Sequence, residues 1–442
     1  MFKTLRNAFK VKDIRTRLTY TFIALIVVRL GTLLPAPAIS ADVTAQWFAN
    51  LGFFNNFTGG SFQRMSIFAL SITPYISSSI IVQLLTIAIP KLEELQKEGE
   101  DGKKKMNEIT RYLTVGLALV ESAAMAIGFG NSGALEGGLT FTNVILVVAS
   151  FTAGSAFLMW LGEKITQNGV GNGISIILLI NIVSTMPADF VNMYYKFVNG
   201  KPVVNAIISS IVIILVAVVT VVLVVLLQDA ERKIPVQYAK KVQGRKMVGG
   251  QTSHIPLKVN TAGVIPVIFA GSLISFPGVV ASFFKVYPAR AYFWPKVLKV
   301  LDQRSWLAIN FKNFEWGEFK YSLGLLIYIA MIVFFAYFYT SITFNPIEVA
   351  NNIKKQGGFV PGIRPGKPTS EYLQKVLNNI ILIGAIGLVI VSIIPIFFSG
   401  AFDANVSFGG TSIIIIVGVI IETIKQVESQ LLVRHYKGFL ND

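Results

Sequence analysis

The feature that most constrains this chain is a recurring apolar run of about 20 residues, the length at which a helix crosses a bilayer's hydrocarbon core. Ten such runs fall at roughly 18–36, 66–89, 112–130, 141–162, 170–187, 203–227, 262–284, 322–344, 377–398 and 411–427. Backbone facing lipid must satisfy its own hydrogen bonds, so helices are the expected form. Composition agrees: 53% of the 442 residues are apolar and only 14% are charged, against about 25% charged in soluble domains. So few charges do not cover a soluble fold of this size. The expected fold class is an all-α integral membrane protein of ten transmembrane helices.

Two runs are unusual. The run at 170–187 is short and opens with Gly169, Gly171 and Gly173; the run at 66–89 follows Gly59, Gly60 and Arg64 and is broken by Pro74. The first run follows six basic residues and ends in Ala36-Pro37-Ala38, which resembles a signal-peptide cleavage site. Arg29 interrupts its apolar stretch, so it is expected to be a retained span.

An even span number puts both termini on one side, and basic residues say which. With the N-terminus inside, inner segments hold 27 Lys and Arg and outer segments nine, seven of these in the loop 285–320. Both termini are therefore expected in the cytoplasm. Two inner loops stand out. Residues 229–260 carry Arg232, Lys233, Lys240, Lys241, Arg245 and Lys246; residues 345–372 carry Lys354, Lys355, Arg364 and Lys367 among prolines and glycines. Topology and attraction to anionic lipid account for charges beside a span. Long loops punctuated by turn formers also suit a surface shaped for a large cytoplasmic partner.

Several chemistries are excluded. The chain has no cysteine and only His254 and His435, so disulfides, thiol catalysis and Cys- or His-rich metal sites drop out. No phosphate-binding loop or H-E-x-x-H cluster occurs. Ionisable residues in or near the spans reduce to Arg29, Glu121 and Glu422, few for a proton-coupled carrier. Divided between spans five and six, the chain gives halves 1–187 and 203–442 of five spans each, which lie inverted if they are related. Ile76 and Ile80 share one helix face, as do Ile174 and Leu178. Such pairs serve ordinary interhelical packing, or they form a hydrophobic constriction that stops ions by dewetting. A small-solute transporter and a channel both remain open on these grounds.

Longer motifs narrow the choice. SIFALSITPYISSSIIVQLL at 66–85, GNGISI at 171–176, IPVQYAKK at 234–241, PLKVNTAGVIPVIFA at 256–270, GFVPGIRPG at 358–366 and GGTSIIIIVGV at 409–419 closely resemble the bacterial SecY family. The likeness covers nearly the whole chain, in order. It implies a channel of the bacterial cytoplasmic membrane that passes unfolded polypeptides and releases hydrophobic segments sideways into lipid, with no catalysis and no cofactor or metal. The two inverted halves would surround a central pore. Its ring would be Ile76, Ile80, Ile174, Leu178, Ile268 and Ile415. A short plug helix at about 60–70, including Ser61, Phe62, Gln63, Arg64 and Met65, would seal it while supplying little packing. A lateral gate between spans two and three and spans seven and eight would present Ser77, Ser78, Ser79 and Gln83. Lys233, Arg245, Lys246 and Arg364 would receive the SecA ATPase or the ribosome. SecE and SecG would be the membrane partners, and secretory preproteins with their signal sequences the cargo. The loop 285–320 carries no assignment.

Overall fold

A computed structural model of the protein describes residues 9–40, 58–200, 202–238, 241–243, 246–248, 252–283, 294–301, 322–401 and 410–438. Most of the loop 285–320, and Arg245, lie outside the described residues. The chain begins with helices α1 (Lys12–Gly31), α2 (Thr73–Ala88), α3 (Pro90–Lys97), α4 (Glu100–Ser132), α5 (Phe141–Asn168), α6 (Gly173–Phe197) and α7 (Val203–Asp229). Strands β1 (Glu231–Tyr238), β2 (Lys241–Gln243), β3 (Lys246–Val248) and β4 (Thr252–Lys258) follow. Then come α8 (Ile265–Phe283), α9 (Trp294–Leu301), α10 (Leu323–Thr343), α11 (Pro346–Lys355), β5 (Gly358–Phe359), α12 (Lys367–Ala401) and α13 (Gly410–Gly438).

Among the described residues, six helices are long and apolar enough to cross a membrane, or seven if the bent pair α2 and α3 is one span. That pair turns by 108°. Ile89 between them is extended, at φ −114° and ψ 110°, because the following Pro90 disfavours helical backbone before it. The run 66–89 is thus helical only from Thr73, where Pro74 occupies the first turn and needs no donor. Helix α7 carries its apolar residues outward and buries only Thr220 and Val224. So much exposed Val, Ile and Leu is untenable in water and natural against lipid. The molecule is a multi-span membrane protein.

One large apolar cluster draws on α1, α2, α5, α6, α7, α8, α10, α12 and α13. A second, smaller one packs Met65, Ala69 and Leu70 against α4 and α5. The Arg111 guanidinium forks onto the Glu163 carboxylate at 2.7 and 2.6 Å, tying α4 to α5. Lys425 of α13 reaches Asp229 at the end of α7, at 2.8 Å.

The two basic segments are not separate loops, and the fold is not purely helical. β1 pairs antiparallel with β4, and its far end, Gln237 and Tyr238, pairs with Phe359 and Gly358 of β5. The sheet order is therefore β4-β1-β5, which joins 229–260 to 345–372. The alternation in β1 explains this: Ile234 and Val236 point inward and Lys233 outward. Those two residues pack with Leu257, Ala350, Ile353, Val360, Leu373 and Ile380.

Candidate functional site

Six aliphatic side chains from four helices belong to the large cluster or border it. Ile80 of α2, Leu178 of α6, Ile268 of α8 and Ile415 of α13 are buried members, and Ile76 and Ile174, half-exposed, pack against the cluster. Local chemistry sets the α6 pair. Asn172 caps the helix, its Oδ1 accepting from the Ile174 and Ser175 amides at 3.1 and 3.4 Å. A side chain at Gly173 would collide with the Gly162 carbonyl, so α5 and α6 touch backbone to backbone. A Cβ at Gly162 would lie 2.5 Å from Ile174 Cδ1, so that glycine also makes room for the isoleucine.

The segment before α2 is a series of turns, not the short helix expected. Within it Ser61 and Met65 are buried, Phe62 is half-buried, and Gln63 and Arg64 are exposed. Its second half is bound to the bundle: the Ala36 amide donates to the Met65 carbonyl at 2.8 Å, and the Ile67 amide to the Leu34 carbonyl at 3.0 Å. Met65 is in the smaller core cluster, and Phe68 fills the space that Gly31 leaves. The expectation that residues 60–70 supply little packing is thus corrected. Residues 65–70 are part of the core because all but Ser66 are apolar and their backbone is paired, and within 59–64 Ser61 is fully buried and Phe62 packs against the smaller cluster.

Ser77, Ser78 and Ser79 do not share a face, since successive helical residues turn by about 100°. Ser78 is fully buried and donates to the Pro74 carbonyl at 2.7 Å. Ser77 and Ser79 are half-buried. Gln83 donates to Ser79 at 3.4 Å, so these two form the polar edge of α2. Elsewhere in the bundle α4 touches α8, the contact of spans three and seven.

On the sheet unit, Lys233 projects from β1. Arg364 is exposed in the turn between β5 and α12, flanked by Gly362 at φ 80° and Gly366 at φ 104°. The Thr369 hydroxyl donates to the Arg364 carbonyl at 2.8 Å and fixes that turn. Lys246 lies on β3. Sequence reasoning missed Asn181, a buried amide inside the apolar run of α6 that donates to the Ser71 hydroxyl at 3.1 Å. The signal was present: a mid-run carboxamide three residues beyond Leu178.

Among the described residues no group of three or more acidic, His or Cys side chains is placed to hold a metal. A buried aliphatic cluster between helices and an exposed basic sheet are features of a membrane protein whose family comparison with known proteins gives. The sequence model of the SecY family matches residues 66–424, and the chain belongs to that family. The protein translocase subunit SecY of Bacillus subtilis is 40% identical over the full length of both chains. That of Streptomyces coelicolor is 42% identical, also over both full lengths. A solved protein-conducting channel superposes with a TM-score of 0.62 at 17% identity, covering 94% of this chain and 92% of the other. Sec61 from the canine ribosome–channel complex gives 0.58 at 15% identity, covering 94% and 92%. These two show the likeness of fold.

Proposed function

We propose that this protein is the polypeptide-conducting pore of a Sec translocon in a bacterial cytoplasmic membrane. The observation that supports the reading is that Ile80, Leu178, Ile268 and Ile415 belong to one apolar cluster and Ile76 and Ile174 pack against it. An unfolded chain of any sequence must pass while ions do not. A fixed polar filter would select among chains; a gasket of aliphatic side chains yields to all and blocks ions by staying dry.

The ten runs coincide with α1, α2, α4, α5, α6, α7, α8, α10, α12 and α13, which supports ten spans in halves 1–187 and 203–442. The halves meet where α6 touches α7 and α13 on one side, and where α4 touches α8 on the other. The second seam is the lateral gate, with Ser79 and Gln83 at its edge and Ser77 beside it. Release through it is downhill for a hydrophobic segment at about 25 cal/mol per Å² of apolar surface. Residues 59–64 plug the pore. Lys233, Arg245, Lys246 and Arg364 dock SecA or the ribosome on the cytoplasmic side, where both termini lie, and SecE and SecG complete the complex.

The test is ATP-dependent import of a secretory precursor into proteoliposomes holding this chain with SecE and SecG, with SecA added. Import that requires both the chain and SecA supports the reading. Normal insertion of the chain with no import, and no co-purification of SecE, would overturn it.

A further inference from the structure

The two ends of the segment 59–71 meet at one residue of α6. Asn181, 1% exposed, donates from Nδ2 to the Ser71 hydroxyl at 3.1 Å. A Cβ at Gly59 would lie 2.9 Å from Asn181 Cα and 3.0 Å from Arg29 Nη1, so the chain at Gly59 rests on the same turn of α6 and against α1. From α1, Arg29 Nη1 donates to the Gly59 carbonyl at 3.3 Å. A guanidinium and a carboxamide are unfavourable inside apolar spans and are found there where they have a task. Here both engage the same short segment.

The backbone of that segment is also unusual. Met65 and Ser71 have φ of 48° and 51°, a region that side-chain-bearing residues rarely adopt unless their surroundings hold them there. Residues from Met65 onward are held by pairing to Leu34 and Ala36. Gly59 and Gly60, at φ 64° and 82°, begin the remaining piece. The piece 59–64 precedes that pairing; it is seated at Gly59 and, through Phe62, against the smaller core cluster, and Met65 is its hinge.

We propose that Arg29 and Asn181 form a latch that holds residues 59–64 in the closed position. Both act as positioning residues on the plug, and neither lines the apolar waist. The inference rests on the plug reading above. Opening must break the Arg29–Gly59 bond and separate Gly59 from Asn181, while Ser71 keeps the base in place. Exchanging Asn181 for Leu preserves the volume and removes the donor; exchanging Arg29 for Met preserves the stem and removes the charge.

The test uses the chain reconstituted with its membrane partners in planar bilayers, with resting open probability as the readout. Arg29→Met should raise it roughly fivefold, the scale of one lost hydrogen bond, and Arg29→Lys should restore most of the closed state; Asn181→Leu, whose lost donor serves Ser71 at the base, should raise it by loosening the turn of α6 on which Gly59 rests. Because the chain lacks cysteine, Ser61→Cys gives a second readout. Ser61 is fully buried, and its labelling by a membrane-impermeant maleimide should accelerate by a similar factor in both latch variants. Deleting 60–64 is the control. If the deletion raises conductance while folded latch variants change neither readout, the latch is refuted and the plug stands. If the deletion has no effect either, the plug assignment itself fails. If Asn181→Leu does not fold, Arg29→Met alone decides, because its contact with Gly59 is independent.

Discussion

Replacing Ile415 by Asn tests whether the aliphatic cluster is a pore waist or an ordinary core. Ile415 is 1% exposed and belongs to the apolar cluster that also holds Ile80, Leu178 and Ile268. Removing its side chain forfeits about 2–3 kcal/mol of apolar burial. Burying the new amide without a partner adds about 1–3 kcal/mol. In a sealed core both fall on folding, and the melting temperature should drop steeply. In a waist with water above and below, the amide hydrates, and the loss falls on the closed state instead. About 2 kcal/mol is a roughly thirtyfold shift toward open, at 1.4 kcal/mol per tenfold. Two assays read this: resting ion conductance in planar bilayers, and export of a reporter carrying a defective signal sequence. Both should rise with little change in melting temperature, whereas Ile415→Val, which stays apolar, should leave conductance near the parent value. A large fall in melting temperature with no added leak or export would refute the waist and return the cluster to interhelical packing.

Arg364→Glu should insert normally and be severely defective in SecA-driven import, with Arg364→Lys intermediate because lysine cannot reproduce a bidentate fork; wild-type import by the Glu variant would remove the docking role. Gly173→Ala should destabilise by about 1–3 kcal/mol through overpacking, because its Cβ meets the Gly162 backbone; an unchanged melting temperature would show that α5 and α6 are not in backbone contact. Leu373→Ala, at a fully buried position under the sheet, should cost about 2–5 kcal/mol locally. Limited proteolysis within 229–260 should quicken while the spans stay protected, and equal protection of both regions would count against a joined cytoplasmic unit.

The apolar helices were legible because lipid-facing backbone must bond to itself, and six of them among the described residues are long and apolar enough to cross a membrane. The aliphatic pairs were legible for a related reason, since the i, i+4 spacing survives in the fold and fixes which face Ile76 and Ile80 share. What escaped was set by partners distant in sequence. β5 is two residues long and pairs only because β1 presents Gln237 and Tyr238 to it; nothing within GFVPGIRPG announces a strand. The segment expected to be the plug divides at Met65 because Leu34 and Ala36 pair with its second half, a contact invisible to local pattern. Three adjacent serines looked like one polar edge, yet helical geometry separates them and buries Ser78.

The connection between the basic sheet and the apolar cluster bears on how a cytoplasmic motor would act on the pore. The turn holding Arg364 leads straight into α12, whose Leu373 and Ile380 belong to the cluster under the sheet. Leu388 and Val391, further along the same unbroken helix, belong to the large apolar cluster. From Leu373 to Val391 the helix spans about 27 Å at 1.5 Å per residue, with no flexible joint between. A second route runs beside it. A side chain at Gly384 of α12 would strike the Val259 carbonyl, so α12 is seated on the chain that leads from β4 into α8 and its Ile268. Both routes start at the sheet, one along α12 and one through the chain into α8. On the proposed assignment α8 lies on the gate seam, opposite α4. On that assignment a partner docked at the sheet would act on the waist helices through α12 and the start of α8, with no separate signalling element.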